Sequence, residues 1–260
     1  MDRLDYLIEY LLKEQNRYKN VKIPTEIKEK RNLFRALCNI RMPKTIKDKD
    51  FIRLQDQELQ EQLKEKGTVD LKDIDIVFTK DSRILLWQGD ITRLKVDAIV
   101  NAANSQMLGC FAPLHACIDN AIHSAAGIQL REECYHLMQQ QGHDEPTGRA
   151  KITKGYNLPS KYVIHTVGPI IYTEKPSLEE ENMLKDCYTS CLELTLEKNL
   201  KSIAFCCIST GEFHFPNDKA AEIAFKTVRD FLERTHSELK VIFNVFKDKD
   251  LNIYKKLLEE

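Results

Sequence analysis

An α/β sandwich preceded by an α-helical extension is the fold that the 260-residue sequence predicts. Three observations predict it: apolar residues at helical spacing over residues 1–70, short apolar strand-like runs from Arg83 onward, and helical periodicity between those runs. Leu4, Leu7, Ile8, Leu11 and Leu12 share one helical face, Ile27, Phe34 and Leu37 a second, and Phe51, Ile52, Leu59 and Leu63 a third. Breaks fall near Pro24 and Pro43, and Gly67 is placed to terminate the third helix. Short amphipathic helices are marginal alone, so residues 1–70 are expected to pack on the rest of the chain and to support it. Buried strands are expected at 84–87, 98–100, 150–153, 162–166, 203–208 and 241–245. Ser177 and Glu180 form a possible capping box, followed by Met183, Leu184, Cys187, Cys191 and Leu194 at core-facing intervals. The division is therefore a helical extension over 1–70 and an α/β domain over 71–260.

Composition narrows the function classes. Lys+Arg total 39 against 40 Asp+Glu, so no global field draws the chain to nucleic acid or to an anionic membrane. An anionic ligand would have to be held locally. Eight cysteines without a regular framework point to reduced thiols in a cytoplasmic protein rather than to disulfides. No uninterrupted apolar run opens the chain, so neither a secretory signal nor a membrane span is expected.

The chemistry concentrates between Asn101 and His123. Cys110, His115 and Cys117 form a Cys-x4-His-x-Cys cluster, and thiolates with an imidazole are the ligand set that zinc takes in tetrahedral geometry. Three ligands leave one position open, as in catalytic rather than structural zinc sites, unless a distant fourth ligand closes it. Cys206 and Cys207 are candidates for that fourth ligand only if their loop folds back, and otherwise read as small core residues. Asp119 lies at a helix start, where an acidic residue is also favoured by the helix dipole, and His123 is one turn further on the same face. At 209–213, Ser209-Thr210-Gly211-Glu212-Phe213 follows a strand and precedes the helix after Pro216; a glycine there allows close approach of backbone amides to phosphate, or simply a turn. Asp90 ends an apolar strand and by position alone is a turn or N-cap residue.

Several of these segments together resemble the macrodomain family, whose members bind ADP-ribose, over residues 75 to 260. They are Gln88-Gly89-Asp90-Ile91-Thr92, the run from Val96 through Asn101-Ala102-Ala103-Asn104, Pro146-Thr147-Gly148-Arg149, Tyr162 through Pro169, and Ile208-Ser209-Thr210-Gly211. The resemblance implies a three-layer α/β/α sandwich with a mixed central sheet. It implies that Asp90 accepts from the adenine amino group beside the Ile91 backbone, with Phe243 and Asn244 as candidates for the adenine wall, or Phe243 simply as a core residue. Ser209, Thr210, Gly211, Glu212 and Phe213 would hold the diphosphate, and Asn104 a hydroxyl of the distal ribose, with Asn101 organising its loop. Asp119 matches an acidic residue that many hydrolytic members use near that ribose; His165 is taken as structural.

Two departures are informative. Where the family commonly carries a glycine-rich run, this chain carries the Cys110–His115–Cys117 cluster, an arrangement similar to the zinc-dependent macrodomain subgroup of bacteria. That subgroup implies one Zn²⁺ per chain, hydrolysis of ADP-ribose from mono-ADP-ribosylated protein, and a functional link to a sirtuin-type ADP-ribosyltransferase. Arg149 stands where hydrolytic relatives often place an acidic residue. Asp119 and Asn104 are the expected catalytic residues, in a monomer that uses neither membrane nor nucleic acid. The alternative is a reader that binds ADP-ribose without cleaving it and uses zinc only to staple its loop.

Overall fold

The computed structural model describes residues 2–74 and 81–259. Residues 75–80, where the macrodomain resemblance begins, lie outside the described residues. Three helices come first: α1 (Arg3–Glu14), α2 (Ile27–Ile40) and α3 (Lys49–Lys66). Asp48 caps α3, its carboxylate accepting from the amides of Asp50 (2.9 Å) and Phe51 (3.2 Å). Gly67 ends the helix with φ at 73°, a conformation that glycine takes without strain. The predicted apolar faces converge: Leu4, Leu7, Ile8, Leu11, Leu12, Phe34, Leu37 and Phe51 form a separate small core, completed by Ile128 from the α/β domain.

Next come a two-residue strand β1 (Val69–Asp70), then β2 (Ile84–Gln88), β3 (Leu94–Lys95), β4 (Ala98–Ala102), α4 (Ile118–Ala126) and α5 (Ile128–Gln141). They are followed by β5 (Ala150–Lys154), β6 (Tyr162–Thr166), α6 (Leu178–Glu197), β7 (Ser202–Phe205), α7 (Asn217–Thr235), β8 (Lys240–Val245) and α8 (Asp248–Glu259). The main sheet has the order β2-β8-β7-β4-β6-β5, parallel except for β5, which runs antiparallel to β6. β1 and β3 form a separate parallel pair. Helices flank the mixed sheet, as the macrodomain resemblance implies, and the fully buried β7 is apolar after Ser202 because both its faces are covered. The Ser177–Glu180 capping box opens α6 as the sequence suggests.

One strand is shorter than expected. The run 203–208 ends as β7 at Phe205, because the chain turns away where the Thr210 amide and hydroxyl both reach the Cys207 carbonyl, at 3.4 and 3.0 Å. That early exit frees residues 206–213 to form a loop at the sheet edge. The carboxyl ends of β2, β4, β7 and β8, all parallel, therefore release their loops on the same side, where ligands gather in open α/β sheets.

The extension is held to the α/β domain by a polar seam as well as by Ile128. Gln55, fully buried on α3, accepts from the Ile128 amide (3.0 Å) and donates to Gln129 Oε1 (2.6 Å). Asp56 accepts from Asn157 Nδ2 (2.7 Å) and Gln129 Nε2 (3.0 Å). Within the extension, the buried Glu58 carboxylate binds Arg3 and Arg31 together. Its removal leaves two guanidinium groups without their shared counter-ion. Glu58→Ala is expected to cost about 3 kcal/mol of unfolding free energy, the low end for a broken buried pair because both arginines keep some solvent. Urea denaturation checks this; a loss under about 0.5 kcal/mol, typical of a surface pair, would contradict the buried assignment.

Candidate active site

The loops after β2, β4, β7 and β8 line a cleft of about 1110 Å³, with α2 and α3 as its far wall. At the floor, near the carboxyl end of β4, Asn101 Nδ2 donates to Asp119 Oδ1 at 2.8 Å. Asp119 sits at the start of α4 and is buried. Asn104 Nδ2 lies 3.4 Å from the other Asp119 oxygen and 3.2 Å from the Gly109 carbonyl. Burial pushes the Asp119 carboxyl up to about 6, against the pull of the Asn101 hydrogen bond and Arg131.

Cys110, His115 and Cys117 come together at the mouth of that floor, their ligand atoms all within 4.8 Å of one another. Cys110 Sγ and His115 Nδ1 are 3.7 Å apart. Zinc bonds of about 2.3 Å to sulfur and 2.0 Å to nitrogen in a tetrahedron place ligand atoms about 3.5 Å apart, so the trio suits such an ion after small side-chain rotations. Cys117 is also the N-cap of α4, its sulfur accepting from the Asn120 amide at 3.4 Å. Glu212 Oε1 is 3.7 Å from His115 Nε2, so a carboxylate of the 209–213 loop faces the imidazole nitrogen turned away from Cys110. Cys206 and Cys207 do not join this group: Cys206 is buried in the main core and Cys207 Sγ lies 3.9 Å from the Asn244 carbonyl.

The rest of the cleft holds the residues singled out for an ADP-ribose-type ligand. Asp90 caps a short 3₁₀ turn, Oδ1 accepting from the Thr92 amide (3.0 Å) and hydroxyl (2.6 Å), while Oδ2 lies 3.5 Å from Lys66 Nζ. Asp90 is thus the turn cap that its position predicts, and it lines the cleft. Ile91, Asn104 and residues 209–213 line the same cavity. A Cβ on Gly211 would meet nothing within 4 Å, whereas one on Gly168 would collide with Ser209 Oγ. Ser209 itself takes the left-handed φ of 63°, and its buried hydroxyl has no hydrogen-bond partner among the described residues. A strained backbone with an unsatisfied buried hydroxyl is the signature of a loop shaped for a ligand.

Several sequence readings change. Phe243, a candidate for the adenine wall, is 1% exposed and belongs to the core, packed 4.8 Å from Tyr254 ring to ring. Phe246, three residues on and 74% exposed, is the aromatic residue after β8 that lines the cleft. It follows the strand directly, which was the available signal. Asn244 lines the cleft and donates to the Gly89 carbonyl at 3.0 Å. Arg149 is exposed and away from the cleft lining. No local pattern signals that Arg35, Asn39 and Lys66 of the helical extension line this cavity, because nothing in the sequence links residues so far apart.

Beneath the floor, His123 Nε2 lies 3.5 Å from Asp119 Oδ1, and neither ring nitrogen has a hydrogen-bond partner among the described residues. His165 is fully buried; Nδ1 accepts from Asn101 Nδ2 (3.2 Å) and Nε2 pairs with Thr153 Oγ1 (2.9 Å), the network that fixes its tautomer. These two histidines with Cys134 make a second compact trio, already engaged through His165.

Strand ends and loops of this kind define an α/β sandwich with a cleft at the carboxyl ends of its parallel strands. The Macro domain model matches residues 100–224. Over 258 residues the chain is 52% identical to a protein-ADP-ribose hydrolase of Treponema medium, covering 99% of this chain and 98% of that relative. It is 49% identical to the protein-ADP-ribose hydrolase of Staphylococcus aureus strain MRSA252, covering 97% and 94%. Among solved structures, the Trypanosoma brucei macrodomain in complex with ADP-ribose superposes with a TM-score of 0.68 at 32% identity, covering 84% of this chain and 94% of that one. The chain belongs to the macro domain family.

Burial holds His165 neutral, lowering its pKa from the ordinary value to about 3. An imidazole depressed in the folded state contributes stability that is present above its unfolded pKa of about 6.5 and is lost as pH falls below it, by about 1.4 kcal/mol per pH unit. Between pH 6.5 and 5 the unfolding free energy of the wild type is expected to fall more steeply than that of His165→Gln by about that slope. Urea titrations at stepped pH measure it, and parallel profiles would contradict a neutral buried imidazole.

Proposed function

We propose that this protein is a zinc-dependent protein-ADP-ribose hydrolase that frees ADP-ribose from modified side chains by hydrolysis at C1″ of the distal ribose. The observation that carries the reading is that the Cys110–His115–Cys117 trio lines the same cavity as Asp119 and Asn104, with Cys117 capping the helix on which Asp119 stands. The hydrolase names of two relatives near 50% identity over almost the whole chain support the same activity.

In this reading Asp90 accepts from the adenine amino group through the oxygen not committed to Thr92. Phe246 supplies an apolar face for the base. The amides of 209–213 and the Ser209 hydroxyl hold the diphosphate, without a net basic charge on the chain to attract it. That fixes the distal ribose over the floor, where Asn104 binds a ribose hydroxyl. Cys110, His115 and Cys117 would hold one zinc ion, which would supply Lewis acidity to the hydrolysis. Asp119, oriented by Asn101, accepts a hydrogen bond from the attacking water and takes its proton as the new bond to C1″ forms. The proton then goes to the departing side-chain oxygen or nitrogen, and ADP-ribose leaves with a hydroxyl at C1″. Glu212 steadies His115 from the diphosphate side.

The resemblance to the zinc-dependent bacterial subgroup extends the proposal to marks written by a sirtuin-type ADP-ribosyltransferase. Free thiols throughout the described residues fit a cytoplasmic setting. Among the described residues no helix is long and apolar enough to cross a membrane.

Release of free ADP-ribose from a mono-ADP-ribosylated protein, with metal content measured, tests the reading. Chelation is expected to abolish turnover, zinc to restore it, and ADP-ribose affinity to persist. Tight ADP-ribose binding without turnover on ester and other linkages would instead make the protein a reader with a structural metal. Asp119→Asn is expected to lower kcat on the order of 10²-fold while leaving ADP-ribose affinity nearly unchanged; equal losses in both would remove the chemical role.

A further inference from the structure

We propose that the N-terminal helical extension is a positioning element of the active site, acting through Arg35 and Asn39 on the metal-binding loop. The inference rests on the reading of Cys110, His115 and Cys117 as a metal site. The loop from Gly109 to Cys117 has no strand or helix of its own, so its shape must be imposed by what it touches. Two of the side chains that hold it, Arg35 and Asn39, belong to α2.

Arg35 Nη2 donates to Asn120 Oδ1 at 2.7 Å and to the His115 carbonyl at 3.3 Å. Asn120 is fully buried and is the hinge of the arrangement. Its side-chain amide donates to the Ala112 carbonyl at 2.9 Å, and its backbone amide to Cys117 Sγ at 3.4 Å. One guanidinium of the extension therefore fixes the residue that holds the loop at Ala112 and one sulfur at Cys117. Asn39 works four residues on, one turn further along the same face of α2. Its Oδ1 accepts from the Leu114 amide at 3.0 Å, and its Nδ2 donates to Ser124 Oγ at 3.0 Å. Leu114 precedes His115 and is held at a φ of 56°, a conformation costly for a leucine and kept only where its surroundings enforce it.

The coupling is closed from the other side by Arg131 on α5. Its Nη1 donates to the carbonyls of Cys38, Asn39 and Arg41 at the C-terminal end of α2. Its Nη2 reaches the Cys110 carbonyl at 3.4 Å, and its guanidinium lies 4.4 Å from the Phe111 ring centre. The end of α2 and the start of the loop are thus gripped by one side chain. An extension that only buried apolar surface would need none of these contacts, since its small core lies among Leu4, Ile8, Phe34 and Phe51.

The test is zinc affinity of the full-length protein by competition with a chromophoric chelator, measured for the wild type, Arg35→Met and Arg35→Lys. Kinetics and ADP-ribose affinity are measured alongside. Arg35→Met keeps the length and loses every donor, and is expected to weaken zinc binding about 10- to 100-fold, the usual cost of losing a group that orients metal ligands. Turnover should fall at limiting zinc while ADP-ribose affinity holds, and Arg35→Lys, which retains one donor for Asn120, should recover part of the loss. Unchanged zinc affinity in a folded Arg35→Met would overturn the proposal. Should that variant fail to fold, Asn39→Ala, which removes only the Leu114 and Ser124 contacts, is expected to shift zinc affinity in the same direction, and no shift would overturn it equally. A wild type that binds no zinc would sink the metal reading instead. Hydrogen exchange of the 109–117 amides then decides the positioning role, faster in Arg35→Met if the extension holds the loop and unchanged if it does not.

Discussion

A single buried hydrogen bond, from Asn101 Nδ2 to Asp119 Oδ1 at 2.8 Å, sets the geometry on which the site depends. It joins the carboxyl end of a central parallel strand to the amino end of the next helix, so everything between must leave the sheet and return to nearly the same point. Residues 102–118, enclosed in this way, cannot run along the surface as an ordinary connection; they fold back over the bond as a compact loop. Gly109 makes that possible at its tightest point, with φ at 78° and the His123 ring where a Cβ would sit. Because the loop must close, the two cysteines and the histidine it carries are brought within reach of each other and held above the carboxylate.

The surrounding structure divides two tasks. The six-stranded sheet with its flanking helices supplies rigidity, since its central strands are buried on both faces and their loops inherit fixed starting points. The first three helices supply closure. They bury a small apolar core of their own but meet the α/β domain through amides, carboxylates and guanidinium groups that are specific in direction. Such bonds add little net stability each, yet leaving any partner unsatisfied in a buried seam is costly, so they define one docking geometry. The extension thereby becomes a wall of the cleft rather than an appendage.

Electrostatics is shaped by the same burial. Asp119, His123 and His165 lie in one water-poor region, where burial favours the neutral form of each and moves a carboxylic acid and an imidazole in opposite directions. The carboxyl rises to about 6 while the histidines stay neutral. Both imidazoles therefore stay uncharged at neutral pH, while the Asp119 carboxyl is ionised above about pH 6.

Much of this was legible in the chain itself. Strand and helix periodicity placed the elements of the sheet to within a few residues, because burial on one or both faces writes its period directly into the sequence. The spacing of Cys110, His115 and Cys117, and the position of Asp119 two residues later, were equally local facts. Local sequence did not distinguish Phe243, which points into the core, from Phe246, which lines the cleft, since both depend on where one strand ends. Nor did it reveal that Ser209, rather than Gly211, bears the strained backbone. The contacts of Arg35 and Asn39 with the 109–117 loop and with Asn120 join residues 75 or more apart and cross from one core to the other. Sequence by itself determined which residues could perform the chemistry; only the tertiary structure decided which of them meet, because a hydrogen bond depends on ångström-scale approach that packing alone fixes.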